Sequence, residues 1–282
     1  MDLQQFVGHR LEQKNFIHDF SLGALFTYHK LAKLVEEDKV VMTADSIVLN
    51  TNKAWSLILY GGATDQSIFD STTIGDKKLR ISSATPLPIA TKKKKKEEEV
   101  FYQIDAIELH SGKKKYHSLL KPIAIFEKRP DLGITLVDIQ ETDSAQSLAL
   151  RDLHNEWVKY KLSLPKVHRI SFPTARYRNT LDPMPVPTYK KAIYIKGKLY
   201  GFIVFSLEGE VAFELSFCTL YWKDEFKILS GLNQYIFSYC VIQLSKQGIK
   251  FVNSGFGLNK NLKVFKQSAQ KSNSVYRYTY EV

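Results

Sequence analysis

Residues 229–268 read LSGLNQYIFSYCVIQLSKQGIKFVNSGFGLNKNLKVFKQS, and the fold turns on how this stretch is parsed. Leu229, Leu232, Ile236, Tyr239, Cys240 and Leu244 recur at helical spacing, so a helix is expected from about Phe226 to Lys246, with Gly248 closing it. Ile249 to Asn253 then reads as a strand. The glycine turn Ser254-Gly255-Phe256-Gly257 leads into a short helix over Leu262 to Gln270.

Working outward, Val275 to Val282 alternates Tyr276, Tyr278 and Tyr280 with Arg277, Thr279 and Glu281, the pattern of a strand with two different faces. Three alternating tyrosines point to a packed sheet face, or to one general acid among them. Upstream, Lys191 to Ile195, the turn Lys196-Gly197-Lys198 and Leu199 to Leu207 form a hairpin, and Glu208-Gly209-Glu210 turns into a third strand, Val211 to Tyr221. Ile134 to Ile139 is another strand, after which Asp143 or Ser144 can cap a helix through Lys161. Nearer the start, residues 10–38 keep a helical period, and residues 46–60 read as a hairpin. Asp76 to Ile81 suggests a short helix, Val100 to Ile104 a strand, and Leu119 to Lys128 a helix with Pro122 in its first turn.

The chain has 282 residues, 44% of them apolar and 24% charged, which excludes general disorder and favours two domains or one large one. Two cysteines, Cys218 and Cys240, are too few for a disulfide framework or a four-thiolate zinc site, and both lie in apolar stretches that suit inert buried thiols. The histidines show no metal-ligand spacing, so no metal is expected. The start has no basic region followed by a long apolar one, and Tyr235 to Leu244 is about half a membrane span, so a cytoplasmic protein without a transmembrane segment is expected.

The net charge of +11 is unevenly spread, with eleven basic against six acidic residues between Lys92 and Arg129. Such a stripe suits a nucleic acid or an anionic lipid surface. Within it, Lys92 to Glu99 is low in complexity and partly self-neutralising, and reads as a Lys-rich solvated loop near 91–99. Lys113, Lys114 and Lys115 follow Gly112 and adjoin Tyr116 and His117, and are the candidate polyanion contacts.

Three antiparallel strands, a long helix, a strand, a short helix and a last strand is the order of a GNAT-type acyltransferase domain. The quoted stretch resembles the C-terminal half of the lysylphosphatidylglycerol synthase catalytic domain, through Gly231, Gln234 and Tyr235 on the helix and then Asn253, Gly257, Leu262 and Lys266. The segment IDAIELHSGKKKYHSLLKPIAIFEKR is similar to that family's central basic segment. The Fem-type aminoacyl-tRNA transferases share the layout. The resemblance spans residues 100–282 and implies an α+β fold, a GNAT-like mixed sheet flanked by helices, in a tandem arrangement. A divergent N-terminal unit would cover 1–120 and a catalytic unit 121–282.

The resemblance also implies chemistry. In this fold the strand before the long helix splays from its neighbour and the freed backbone holds the acyl donor, which here points to the Glu214 to Leu220 stretch. Acyl transfer needs a deprotonated acceptor, a stabilised oxyanion and a proton for the leaving oxygen. Glu214, the one carboxylate in that strand, is the candidate base, or else a solvent-facing strand residue. Asn253 is a candidate substrate contact or an Asx-turn residue, and Lys266 a candidate phosphate or leaving-group contact or a surface lysine. Gln234, Tyr235 and Gly257 are carried over as substrate-binding positions. A convergence of Glu214, Asn253 and Lys266 on one cleft is expected.

Two departures from the family bear on the substrates. Residues 221–227, YWKDEFK, lack the glycines with which acetyl-CoA enzymes hold pyrophosphate at a helix N-terminus. This disfavours acetyl-CoA and favours aminoacyl-tRNA as a transient donor, with no permanently bound cofactor. Ser254-Gly255-Phe256 also stands where the family has an acidic and basic cluster, which leaves the acceptor open. Three readings follow: an acyl or aminoacyl transferase acting on an amine or hydroxyl of a large acceptor, a transferase modifying nucleic-acid bases (tRNA or DNA), and a non-catalytic GNAT-derived nucleic-acid-binding module.

Overall fold

A computed structural model describes residues 1–12, 17, 20–43, 46–50, 54–59, 78–84, 86–87, 93–105, 109, 114–140, 143–165, 179–227, 229–256 and 273–281. Eleven strands among these residues form one sheet. They are β1 (Val40–Met42), β2 (Ser46–Asn50), β3 (Ala54–Leu59), β4 (Lys78–Ser83), β5 (Lys93–Gln103), β6 (Ile134–Asp138), β7 (Thr188–Ile195), β8 (Lys198–Glu208), β9 (Val211–Thr219), β10 (Phe251–Phe256) and β11 (Asn273–Glu281). The helices are α1 (Leu3–Glu12), α2 (Leu22–Tyr28), α3 (Leu31–Glu36), α4 (His117–Phe126), α5 (Ser144–Ser163), α6 (Asp224–Lys227) and α7 (Leu232–Lys246).

The strand order is β1-β2-β3-β4-β11-β5-β10-β9-β8-β7-β6. From either edge, antiparallel neighbours lead inward to a parallel pair, β3 with β4 and β9 with β10. Between these pairs the order crosses over. β5 follows β4 in the chain but lies between β11 and β10, while β11 follows β10 but lies between β4 and β5. Both halves of the chain therefore contribute to one continuous sheet, and its two central strands are locked between strands of the other half.

The run Lys93–Glu99 is strand and not the solvated loop that its composition suggests. It is paired on one side with β11 along its length, and its inner end also meets β10. Alternation resolves its charges: Lys95 and Arg277 both reach Glu97 on one face, and Lys94 and Lys96 lie over tyrosine rings on the other. Lys78–Ser83 is likewise a strand where a short helix was expected, because it completes a parallel pair with β3. The helical period over 10–38 is divided among α1, α2 and α3, and the expected helix at 262–270 lies outside the described residues.

Helices cover both faces. Phe237 of α7 meets the rings of Tyr102 and Phe205 on the first face, where α4 packs beside α7. On the second face α2 approaches β8 so closely that a Cβ on Gly23 would lie 2.3 Å from Ser206 Oγ. Asp143 caps α5, as expected, by accepting from Gln146 N at 3.0 Å. Cys218 and Cys240 are fully buried, and burial pushes the Cys240 thiol up to about 12 and that of Cys218 higher still. Neither is a nucleophile at neutral pH.

Candidate active site

β9 and β10 run parallel for three rungs, Val211 with Phe251, Ala212 with Val252 and Phe213 with Asn253, and then part. β9 continues to Thr219 and β10 to Phe256 without pairing each other again. Both strands are irregular at the point of parting. β9 carries an extra residue against β8, since Val204 faces Ser216 and Phe205 faces Glu214. β10 shifts register against β5 between Asn253 and Phe256, with Gly255 at φ +68°, a conformation in which a side chain would be strained. The parting exposes backbone groups of β9, and Tyr28 of α2 satisfies one of them by donating to the Leu215 carbonyl at 2.5 Å.

The register sorts the side chains at this mouth onto two faces. Glu214, Ser254 and Tyr102 share the α7 face. Ser254 donates to Glu214 Oε2 at 2.5 Å, and the Tyr102 hydroxyl hydrogen-bonds Ser254. Tyr102, Ser254 and Glu214 thus form one polar cluster at the mouth. Burial, and then the Glu214 carboxylate, push the phenol well above the usual tyrosine range, while the Ser254 hydrogen bond acts in the opposite sense. Glu214 is the partly exposed member of the cluster, and Tyr102 and Ser254 are buried.

Asn253 points the other way. Its side-chain N–H donates to Glu99 Oε2 at 2.7 Å, and its carbonyl accepts from Gly255 N at 2.6 Å, forming an Asx turn. It is wholly buried, as is Glu99. The expected meeting of Glu214 and Asn253 in one cleft is therefore corrected: paired parallel strands put residues one apart on opposite faces. Lys266, Gly257 and Lys113 lie outside the described residues. Lys114 is exposed in the single turn before α4, with Lys115 in the same turn.

Gln234 and Tyr235 occupy the first turn of α7. The helix begins at Leu232 and not near Phe226, so Gly231 (φ +86°) immediately precedes it. An aromatic ring closes over this end, since Phe126 stacks on Tyr235 at 5.0 Å and lies 3.7 Å from where a Gly231 Cβ would be. The turn after β9 is held just as firmly. Trp222 stacks on Tyr160 of α5 at 3.9 Å, and Lys161 reaches the Tyr221 hydroxyl at 3.2 Å, its ammonium pKa lowered by burial.

Tyr102 and Ser254 were not singled out from the sequence. Both sit in stretches read as strand or turn, but their meeting depends on β5 lying against β10, a pairing that no local pattern announces. Among the described residues no group of three or more His, Cys, Asp or Glu is placed to hold a metal ion, and no helix is long and apolar enough to cross a membrane.

The architecture has close counterparts among solved structures. A conserved protein of unknown function from Bacteroides thetaiotaomicron superposes with a TM-score of 0.67 at 13% identity, covering 99% of this chain and 96% of its own. The C-terminal (DUF2156) domain of a protein assigned as a lysylphosphatidylglycerol synthetase from Agrobacterium fabrum gives 0.59 at 12% identity, covering 98% and 92%. The L-PGS of Bacillus licheniformis gives 0.54 at 13% identity, covering 89% and 91%. The chain has the GNAT-like fold of these L-PGS domains. No family model matches the sequence, and no curated protein matches it. The likeness therefore lies in the fold, at identities where few individual residues are shared.

Proposed function

We propose that the protein is an acyl or aminoacyl transferase whose reaction takes place where β9 and β10 part. The observation that carries this reading is the cluster of Glu214, Ser254 and Tyr102 at a strand parting in a fold shared with L-PGS. Glu214, at the solvent end, takes a proton from the acceptor amine or hydroxyl as it attacks the acyl carbon. Backbone N–H groups of β9 beyond Phe213, no longer paired with β10, then stabilise the tetrahedral oxyanion. Collapse of the intermediate breaks the bond to the leaving oxygen, which takes up the proton held by Glu214.

Aminoacyl-tRNA is the favoured donor, with a large molecule as acceptor and no permanently bound cofactor. Two features support a donor other than acetyl-CoA: Phe126 closes over the first turn of α7, and the turn after β9 is packed with aromatic side chains against α5. The excess of +11 charges supports a polyanionic substrate, and a cytoplasmic setting belongs to the same reading.

The test is transfer of label from a mixture of radiolabelled aminoacyl-tRNAs to phosphatidylglycerol vesicles, to RNA or to protein, each supplied separately. Glu214→Gln should reduce transfer by about 100-fold or more while leaving the melting temperature within a few degrees. Transfer that survives this substitution overturns the assignment of the base. Binding without transfer to any acceptor would favour the non-catalytic module.

A further inference from the structure

We infer that the face of β5 and β11 bearing Lys94, Lys96, Tyr276 and Tyr278 is a docking surface for a strand of nucleic acid. The two strands pair from Asn273 with Phe101 to Glu281 with Lys93, which sets Lys96 opposite Tyr278 and Lys94 opposite Tyr280. The Lys96 ammonium lies 3.8 Å from the centre of the Tyr276 ring and 5.8 Å from that of Tyr278. Lys94 lies 5.8 Å from Tyr278 and 5.6 Å from Tyr280. The row is exposed at Lys94, Lys96 and Tyr276.

The two faces of this ribbon treat charge differently. On the reverse face Lys95 and Arg277 converge on Glu97, so each cation has a carboxylate. On the front face, among the described residues, Lys94 and Lys96 have tyrosine rings as neighbours in place of ion-pair partners, and Glu98 follows at the inner end of the row. Ammonium groups that have given up carboxylates but kept aromatic neighbours match the two needs of a nucleic-acid strand: cations for phosphates and π faces for bases. Lys94 and Lys96 are two residues apart on one face, about 6.8 Å, so they can follow successive phosphates. A lipid surface is the poorer match. Tyr280 is buried with its hydroxyl accepting from Leu87 N at 2.7 Å, and Tyr278 is half-buried, so the row has few apolar groups free to enter a bilayer.

Position adds to the argument. β5 and β11 extend past the end of β10, at the end of the sheet where β9 and β10 diverge. Tyr102 lies on the same face of β5 six residues beyond Lys96, about 20 Å along the strand. The inference rests on the transferase reading only for its purpose: a nucleic acid held on this row could bring an acylated end to Glu214.

The experiment measures anisotropy of a fluorescein-labelled oligouridine with the full chain over a range of salt. The wild-type protein should bind with a steep salt dependence, and K94Q/K96Q should flatten the log–log slope by about 1.4 units, the value for two lost phosphate contacts on a single strand. Tyr276→Ala should weaken binding about tenfold at constant slope, through lost stacking. Absence of wild-type binding at low salt, or unchanged affinity and slope in K94Q/K96Q, overturns the surface. So does lysine-dependent binding to phosphatidylglycerol vesicles without binding to oligouridine. Glu214→Gln separates the two proposals: it should abolish transfer and leave oligouridine binding intact. Binding that depends on Lys94 and Lys96 in a protein with no transfer activity would retain the surface and overturn the transferase.

Discussion

Asn253 holds the buried carboxylate of Glu99 from a strand belonging to the other half of the chain, with a 2.7 Å hydrogen bond from its side-chain amide. The same side chain closes the turn at Gly255. One residue thus ties β10 to β5 and shapes the point at which β10 leaves β9.

Removing that amide leaves Glu99 buried without this donor. Asn253→Ala should destabilise the protein by about 2–4 kcal/mol, measured by urea unfolding. Glu99→Gln in the same chain should recover part of the loss, because a neutral carboxamide is cheaper to bury than a carboxylate. An Asn253→Ala variant of wild-type stability but without activity would instead restore Asn253 as a substrate contact.

Ser254 donates to the Glu214 carboxylate, so its removal should misplace the base without removing it. Ser254→Ala is expected to lower kcat by about 10- to 100-fold with KM nearly unchanged. Tyr102→Phe should have a smaller effect in the same direction. A rise in KM alone would make Ser254 a binding residue.

Acetyl-CoA should not raise the melting temperature at saturating concentration, because aromatic packing occupies both the turn after β9 and the first turn of α7. A ligand at 100 times its dissociation constant contributes about 2.7 kcal/mol, a shift of several degrees by differential scanning fluorimetry. A shift of that size would restore acetyl-CoA as donor.

Glu208 gives a prediction in pH. Burial raises its carboxyl pKa, opposed by hydrogen bonds from Leu22 and Gly23 N–H, the nearby Arg10 and Ser206. A carboxyl whose folded pKa lies above its unfolded value binds more protons in the folded state. Its contribution to stability is therefore full below the unfolded pKa of about 4.3 and falls as pH rises through the folded pKa. Urea unfolding at pH 4, 6 and 8 should show the stability difference moving in favour of Glu208→Gln as pH rises. A difference independent of pH would refute the raised pKa.

Close backbone approach makes Gly201 a sensitive position. A Cβ there would lie 2.3 Å from the Cys218 carbonyl oxygen, which is backbone and cannot turn aside. Gly201→Ala should cost at least about 1–3 kcal/mol by urea unfolding, or fail to yield folded protein. Gly197→Ala, with open space around it and only a positive φ to strain it, should cost less.

Much of this could be read from the order of residues alone. The hairpin of β7 and β8, strand β9, the long helix α7 and strand β10 follow from apolar periods of two and 3.6 with glycines at the turns, signals that lie within a few residues of one another. Those local signals also placed Glu214 on a strand and Asn253 at a turn, and the order of elements pointed to the fold.

The remaining features depend on partners distant in the chain. Lys93–Glu99 looks like a charged loop until β11 and β10 lie beside it, because a strand's stability comes from its neighbours more than from its own residues. The same distant pairing brings Tyr102 to Ser254 and Glu99 to Asn253. Which face a side chain takes is set by register, and a slip of one residue would reverse it. Residue types and local periods therefore determined the elements from β7 to β10, and the resemblance supplied Glu214 as the candidate base. Only the interleaving of β5 and β11 between β4 and β10 decided which side chains meet Glu214 and which are turned away from it.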